Sequence, residues 1–245
     1  MSARLVGVGV GPGDPDLVTV KGVRVLAEAD VVFVPVMALD VPGRAEATVR
    51  AHVTHDRVRR VVFALDDRGG VTPRRESAWA AAGSAVADAF AAGAGTVAFA
   101  TIGDPNVYST FSYLADTVAE AVPGLVVETV PGITAMQDLA ARSGSVLCEG
   151  TESLALLPLT AGIAAYEEAL DAFDTVVAYK GGRHLPAVRA VLEARGRLEG
   201  AVFGAALGLP DEDVRPLTEV PADAEAPYLS TVIAPPARGT RGGRL

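Results

Sequence analysis

The 245-residue chain has a single cysteine, Cys148. It can therefore close no intrachain disulfide and build no thiolate metal cluster. With no paired histidine near it in sequence, Cys148 reads as a small core residue. Basic excess is missing too, since the net charge is −9. A nucleic-acid-binding protein normally carries a basic surplus or stripe, so that class is excluded. Arginines gather at Arg57, Arg59 and Arg60 and again at Arg238, Arg241 and Arg244, and these short runs read as solvated faces or tails. No apolar run approaches the roughly 20 residues that span a bilayer. The opening "MSARLVGVGVGPGD" is broken too early by glycine to be a signal peptide, so a soluble cytoplasmic protein is expected. Aromatic residues are few, at 5%, which leaves the core to Ala, Val and Leu.

Nucleotide-phosphate motifs are also missing, although the N-terminus looks like one. "LVGVGVGPGDPDLVTVKG" runs from Leu5 to Gly22 with glycines at 7, 9, 11 and 13. The dinucleotide fingerprint G-x-G-x-x-G fails, because the sixth position is Pro12 or Asp14. The phosphate loop G-x-x-x-x-G-K-[ST] fails at Lys21. Chemistry agrees: Pro12 and Pro15 have no N–H to donate, and Asp14 and Asp16 would repel an anion. A tight strand-to-helix turn capped by Asp16 explains the stretch equally well. A histidine pair, His52 and His55 in "HVTH", lacks a nearby third ligand, so no metal site is expected. No G-x-S-x-G elbow, H-E-x-x-H motif or internal repeat occurs.

What is present is an alternation of strands and helices. Apolar, β-branched runs at 4–10, 30–36, 58–65 and 96–101 read as strands. Helical patterns lie at 17–29, 75–93 and 108–121, and Trp79, Ala82, Val86 and Phe90 share one face of the second. Continuous rather than alternating apolar strands imply burial on both faces, hence a mostly parallel α/β sheet. A turn at 121–124 marks the expected domain boundary. Beyond it, strands are expected at 125–132, 152–159, 175–182, 200–207 and 228–234, with helices at 134–144 and 184–196. Shorter connections there allow hairpins, so a mixed sheet is expected. The reading is two α/β domains, 1–123 and 124–235, with a disordered tail at 236–245.

Three loops after strands carry candidate chemistry, since ligands of open α/β sheets sit at the carboxyl ends of strands. In "TIGDPNVYST" (101–110), Gly103 permits close backbone approach and Asp104 can accept from a hydroxyl pair or a cation. Tyr108, Ser109 and Thr110 crowd hydroxyls at a helix start. In "VPGITA" (130–135), Thr134 is a natural N-cap. In "YKGGRHL" (179–185), Lys180, Arg183 and His184 surround two glycines, a cluster suited to carboxylates. Each loop, taken singly, is also explained by a plain cap or a solvated turn.

Taken in order, "GVGPGDPDLVTVKGVRVLAEADVVFVPV", "GDPNVYST" and "VPGITA" resemble the tetrapyrrole methylases, the S-adenosylmethionine-dependent enzymes of cobalamin and sirohaem synthesis. The resemblance runs from Leu5 to about Ile233. "FVPVMAL" stands where uroporphyrinogen methylases carry a "YDRLV" motif. "LCEGTESLALLP", "VVAYKGGRHLPAVRAVLE" and "APYLSTVI" are similar to the branch acting at C(20) of precorrin-2 or of its cobalt-containing counterpart. Two departures stand out: Tyr179 replaces a methionine common before the lysine, and "TAMQD" replaces a common serine pair.

The resemblance implies two α/β domains with the cofactor in the cleft between them, and a homodimer. It implies that Pro12 lines the cleft. Ile102, Gly103, Asp104, Val107 and Tyr108 would bind the methionine and ribose parts of S-adenosylmethionine, with Thr134, Ala135, Lys180 and Ala206 completing the pocket. S-adenosylhomocysteine is the product. Tyr108 is the candidate for assisting proton loss from the methylated carbon. The tetrapyrrole carries many carboxylates and the chain is acidic, so a local basic patch is required: Lys180, Arg183, His184 and Arg142 are its candidates. Rival readings are a methylase of another tetrapyrrole carbon or of protein or RNA, a nucleotide-dependent oxidoreductase, and a non-catalytic ligand-binding module. The acidic balance disfavours RNA, and the missing fingerprint disfavours the oxidoreductase.

Overall fold

In a computed structural model, residues 2–64 and 71–239 are described. The chain divides into two compact units, Met1–Thr134 and Ala135–Leu245. In the first unit β1 (Arg4–Gly9), β2 (Val31–Val36), β3 (Val58–Val62), β4 (Thr96–Thr101) and β5 (Val126–Val130) form a sheet in the order β3-β2-β4-β1-β5. Every neighbouring pair is parallel. The continuous apolar runs explain this, because alternate residues feed two separate cores. Leu5, Phe33, Val97 and Phe99 pack with Val86 of α3 (Pro73–Ala91) and Leu114 of α4 (Phe111–Ala121). Val6, Val8, Val32 and Val34 pack with Leu26 of α1 (Val20–Glu28) and with Ala45 and Val49 of α2 (Arg44–Arg50). Helices thus cover both faces.

The boundary expected after residue 123 is corrected by β5. This strand pairs with β1 from Arg4↔Val126 to Val8↔Val130 and so closes the first sheet. The turn at Pro123–Gly124 is a connection inside the first unit, and the division falls at Thr134.

The second unit holds β6 (Leu154–Pro158), β7 (Thr175–Tyr179), β8 (Val202–Ala205), β9 (Asp213–Pro216) and β10 (Ser230–Ala234), ordered β6-β7-β10-β8-β9. Only the β6–β7 pair is parallel, so the sheet is mixed, as the short connections implied. Leu139 of α5 (Ala135–Ser143) packs with Val177 and Ile233, while α6 (Ile163–Ala172) and α7 (Leu185–Ala194) join a core with Val176, Ala178, Phe203 and Val232. Among the described residues no helix is long and apolar enough to cross a membrane.

Three expectations from composition are revised. Cys148 is exposed rather than in the core. Arg57 donates to Ala27 O at 2.7 Å and Arg60 to Leu39 O at 2.6 Å, so this run is partly anchored to the fold. Arg238, placed in the expected disordered tail, donates through Nε to Glu152 Oε1 at 3.0 Å and through Nη1 to Val146 O at 3.1 Å. That double anchor orders the chain there. Arg241 and Arg244 lie outside the described residues.

Glu46 is the most deeply buried charge among the described residues of the first unit, at 1% exposure. Its carboxylate accepts from Arg60 Nε at 2.7 Å, Arg60 Nη2 at 3.0 Å and Arg50 Nε at 2.7 Å, joining α2 to β3. Burial pushes this carboxyl up, but the hydrogen bonds from Arg60 and Arg50 outweigh it and hold it below the ordinary value. A lowered folded value stabilises fully above the unfolded value, and that contribution is lost as pH falls through the folded one. Glu46→Gln should cost about 1–3 kcal/mol at neutral pH, because the arginines left behind are partly hydrated. The deficit should shrink as pH drops through the carboxylate range, read by urea unfolding at a series of pH values.

Candidate functional site

The glycine-rich loop after β1 is glycine-rich because three strand ends meet backbone to backbone. Gly103 N donates to Gly11 O at 2.8 Å, which bridges the loops after β1 and β4. A β-carbon on Gly9 would lie 2.5 Å from Gly103 O and 2.6 Å from Gly132 N. A β-carbon on Gly132 would overlap Gly103 O and lie 2.7 Å from Gly9 Cα. No side chain fits at Gly9 or Gly132, while Gly11 and Gly103 take left-handed φ of 75° and 70°. The junction also sits where strand order reverses: the chain leaves β1 toward β2 and leaves β4 toward β5, crossing in opposite directions. Such switch points are where open α/β sheets bind ligands.

Asp104 fastens the junction. It is 8% exposed. Oδ1 accepts from Asn106 N at 2.8 Å and Oδ2 from Gly132 N at 3.0 Å. The carboxylate read as an acceptor for a ligand thus already holds two backbone donors, one of them on the loop after β5. Ser109 is engaged as well, donating to Thr101 Oγ1 at 3.1 Å and accepting from Phe111 N at 3.1 Å.

The helix start also differs from expectation. Asp16 lies inside a short 3-10 turn, Pro15–Leu17, and its N–H donates to Asp14 Oδ1 at 2.9 Å. Thr19 caps α1, accepting from Gly22 N at 3.0 Å. Two further residues, neither singled out for this in the sequence, hold the glycine loop from α2 and beyond. Thr48 donates to Gly13 O at 3.1 Å, and His52 Nε2 donates to Pro15 O at 3.0 Å. The side chain of His55 lies outside the described residues. Among the described residues no cluster of three or more acidic, His or Cys side chains could hold a metal.

In the second unit the register brings Lys180 and Ala206 to one edge. Thr231, next to the start of β10, faces both Tyr179 at the end of β7 and Gly204 near the end of β8. The residues just beyond, Lys180 and Ala206, therefore flank β10 at the carboxyl ends of two parallel strands. The two departures noted in the sequence meet here: Met136 N donates to Tyr179 Oη at 2.8 Å. The tyrosine thereby holds the first turn of α5, beside Ala135.

Three non-glycine residues of the described chain have positive φ: Tyr108 at 49°, Lys180 at 58° and Ala206 at 51°. Left-handed backbone costs a non-glycine residue about 1–2 kcal/mol, and such strain clusters at binding sites. All three stand among the site residues expected from the family resemblance.

The remaining candidates divide. Pro12 and Thr134 are buried, while Ile102, Gly103, Val107 and Ala135 are partly buried. Tyr108 is 45% exposed, and burial of part of its ring pushes the phenol above its ordinary value. It stays protonated at neutral pH and can donate, but is no base there. Lys180 Nζ lies 6.0 Å above the Tyr228 ring. Arg183 is exposed and donates through Nε to His184 Nε2 at 3.2 Å, so that nitrogen of His184 acts as an acceptor, not as a cationic donor. Arg142 is held in ion pairs, with Asp138 Oδ1 at 2.8 Å and Glu212 Oε1 at 3.0 Å.

Comparison with known proteins fits this arrangement. Residues 4–221 match the family described as Tetrapyrrole (Corrin/Porphyrin) Methylases. The chain is 37% identical to precorrin-2 C(20)-methyltransferase of Sinorhizobium sp, over 95% of each chain. It is 31% identical to cobalt-precorrin-2 C(20)-methyltransferase of Salmonella typhimurium, over 95% of this chain and 96% of that one. Its fold is shared with uroporphyrin-III C-methyl transferase from Thermus thermophilus complexed with S-adenyl homocysteine, at TM-score 0.60 and 23% identity, covering 94% of this chain and 96% of that one. Matched along nearly its whole length by family and relatives alike, the chain belongs to the tetrapyrrole methylases.

Proposed function

We propose that the chain transfers a methyl group from S-adenosylmethionine to C(20) of precorrin-2, or of its cobalt-containing counterpart, in corrin synthesis. The observation that carries this reading is the left-handed backbone at Tyr108, Lys180 and Ala206. Three strained positions fall in the strand-end loops at which the family resemblance puts the cofactor, and strain persists where a site needs a particular backbone shape.

The residues present fit that cofactor better than a nucleotide. Pro12 and Pro15 have no N–H, Asp14 and Asp16 are acidic, and the Gly103 N–H is already given to Gly11 O. Nothing here is built for phosphate, and S-adenosylmethionine has none. When bound, it supplies an electrophilic methyl group on a cationic sulfur. Ile102, Gly103, Asp104, Val107, Thr134, Ala135 and Ala206 would hold and orient it, with Pro12 beside the acceptor. Fixing donor and acceptor in line supplies about 7–11 kcal/mol of the barrier in favourable cases. The Tyr108 hydroxyl would donate a hydrogen bond, and the proton leaving the methylated carbon would pass to water or to a substrate carboxylate. A homodimer in the cytoplasm completes the reading.

Lys180 and Arg183 would meet the acceptor's carboxylates. Arg183→Ala should weaken tetrapyrrole binding by about 1 kcal/mol, the scale of an exposed ion pair, and should flatten its salt dependence. Fluorescence titration at several salt concentrations measures both, and unchanged affinity with unchanged slope rules Arg183 out. The reading as a whole is tested by incubating the chain with precorrin-2 and S-adenosylmethionine. A macrocycle heavier by one methyl group is expected, and an unaltered mass contradicts it.

A further inference from the structure

We propose that Arg142 is a positioning residue for the cofactor, acting through Glu212 on the loop that carries Ala206, and that it is not a carboxylate-binding residue of the acceptor site. The inference rests on the cofactor assignment of Ala135 and Ala206 above.

The guanidinium of Arg142 is engaged within its own unit, although its side chain is 28% exposed. Nε donates to Asp138 Oδ1 at 2.8 Å, one turn earlier on α5, and Nη1 donates to Glu212 Oε1 at 3.0 Å. Glu212 does not end the chain of contacts. Its other oxygen, Oε2, accepts from Gly208 N at 2.6 Å. Gly208 lies two residues after Ala206 in the hairpin loop between β8 and β9, and Leu209 N closes that loop on Ala206 O at 3.0 Å. Both Ala206 and Gly208 are left-handed, at φ 51° and 71°. The left-handed backbone is free for Gly208 but costs Ala206 about 1–2 kcal/mol, and the loop is closed on itself a second time by Glu212 N, which donates to Leu209 O at 3.0 Å. The Glu212 carboxylate braces this loop from within, and Arg142, which orients that carboxylate, ties the loop to α5.

The other end of the tether is equally fixed. Asp138 is 5% exposed, and its Oδ2 is buried without a hydrogen-bond partner among the described residues. Such a carboxylate depends on the one cation beside it. α5 is pinned at its first turn by Tyr179, next to Lys180. The helix therefore carries Ala135 at its start, is fastened there to the end of β7, and is fastened through Arg142 and Glu212 to the loop of Ala206. Three expected cofactor positions of this unit are braced by one helix.

An arginine spent on two carboxylates has little left for a third. A positioning role and a substrate role also separate cleanly by ligand. The test uses Arg142→Met, Glu212→Ala and the double variant of the full chain. Affinity for S-adenosylhomocysteine is read by titration calorimetry, and affinity for uroporphyrin III, an octacarboxylate macrocycle, by fluorescence. Both single variants should weaken S-adenosylhomocysteine about tenfold, as expected for loss of a supporting contact. The double variant should be no worse than either, because one tether is cut twice. Uroporphyrin affinity should not move. Should Arg142→Met fail to fold because Asp138 is left uncompensated, Glu212→Ala, which leaves the Arg142–Asp138 pair intact, carries the same expectation. Weakened uroporphyrin binding with unchanged S-adenosylhomocysteine binding overturns the proposal and returns Arg142 to the substrate. Unchanged affinity for both ligands reduces the tether to a structural contact and overturns it too. Failure of the unmutated chain to bind S-adenosylhomocysteine overturns the cofactor reading itself, and is seen in the first titration.

Discussion

Gly132→Ala is expected to abolish measurable S-adenosylhomocysteine binding and to cost about 3 kcal/mol of stability or more, at the upper end of overpacking effects. The added β-carbon would overlap Gly103 O and lie 2.7 Å from Gly9 Cα. These are backbone atoms, not the ends of flexible side chains, so relief requires moving the carboxyl ends of β1 and β4. Movement there also stretches the Gly103–Gly11 hydrogen bond. Gly93→Ala is the control. Its φ is 101°, but nothing lies within 4 Å of the position a β-carbon would take. It should cost only the conformational penalty of about 1–2 kcal/mol, with ligand affinity unchanged. Urea unfolding and calorimetry measure both variants. A Gly132→Ala chain that binds S-adenosylhomocysteine normally would show that the three-loop junction does not shape the site.

Asp104→Ala should be nearly as damaging. The carboxylate is buried and holds the N–H groups of Asn106 and Gly132. Truncation leaves both donors without an acceptor, which costs about 1–3 kcal/mol for each buried group that water cannot reach. Release of Gly132 also lets the loop after β5 drift from the other two. S-adenosylhomocysteine affinity should fall about a hundredfold, the scale reached when a supporting shift of about 1 Å misplaces a ligand. Asp104→Asn retains one oxygen and should lie between. The same pair of measurements separates two roles. Loss of affinity with stability unchanged would make Asp104 a ligand contact only. Joint loss is what the observed hydrogen bonds require.

Much of the fold was legible in the residues, but its joints were not. The runs LVGVG, VVFVPV and TVAFAT announce buried parallel strands, and they are β1, β2 and β4. LVVETV also reads as a strand, yet nothing local says which sheet it joins. That depends on pairing with Arg4–Val8, more than 120 positions away. α2 went unread because RAEATVR is only two turns long, and it follows a Pro–Gly pair that suggests a loop. Its consequence is functional, since Thr48 steadies the glycine loop from within it. β9 is four residues, DVRP, with a charge or a proline at either end, and carries no strand signal of its own.

The site was legible in a similar way. Glycines at 9, 11, 103 and 132 are visible in the sequence as openings for a ligand. Three-dimensional packing shows that Gly9 and Gly132 make room for each other and for the Gly103 carbonyl, whereas Gly11 and Gly103 serve left-handed turns. Asp104 has the right chemistry for a ligand hydroxyl, and its position is what commits it to Asn106 and Gly132. Arg142 has the right charge for a carboxylate, and Asp138 and Glu212 already answer that charge. The positive φ angles of Tyr108, Lys180 and Ala206 have no sequence signal at all, because none of the three is glycine.

The position of methyl transfer is tested most directly by one measurement. The chain is incubated with precorrin-2 and S-adenosylmethionine labelled with carbon-13 in its methyl group, and the product is mapped by NMR. A single enriched methyl resonance coupled to C(20) of the macrocycle is expected. Enrichment at another carbon, or no transfer of label, would contradict transfer to C(20).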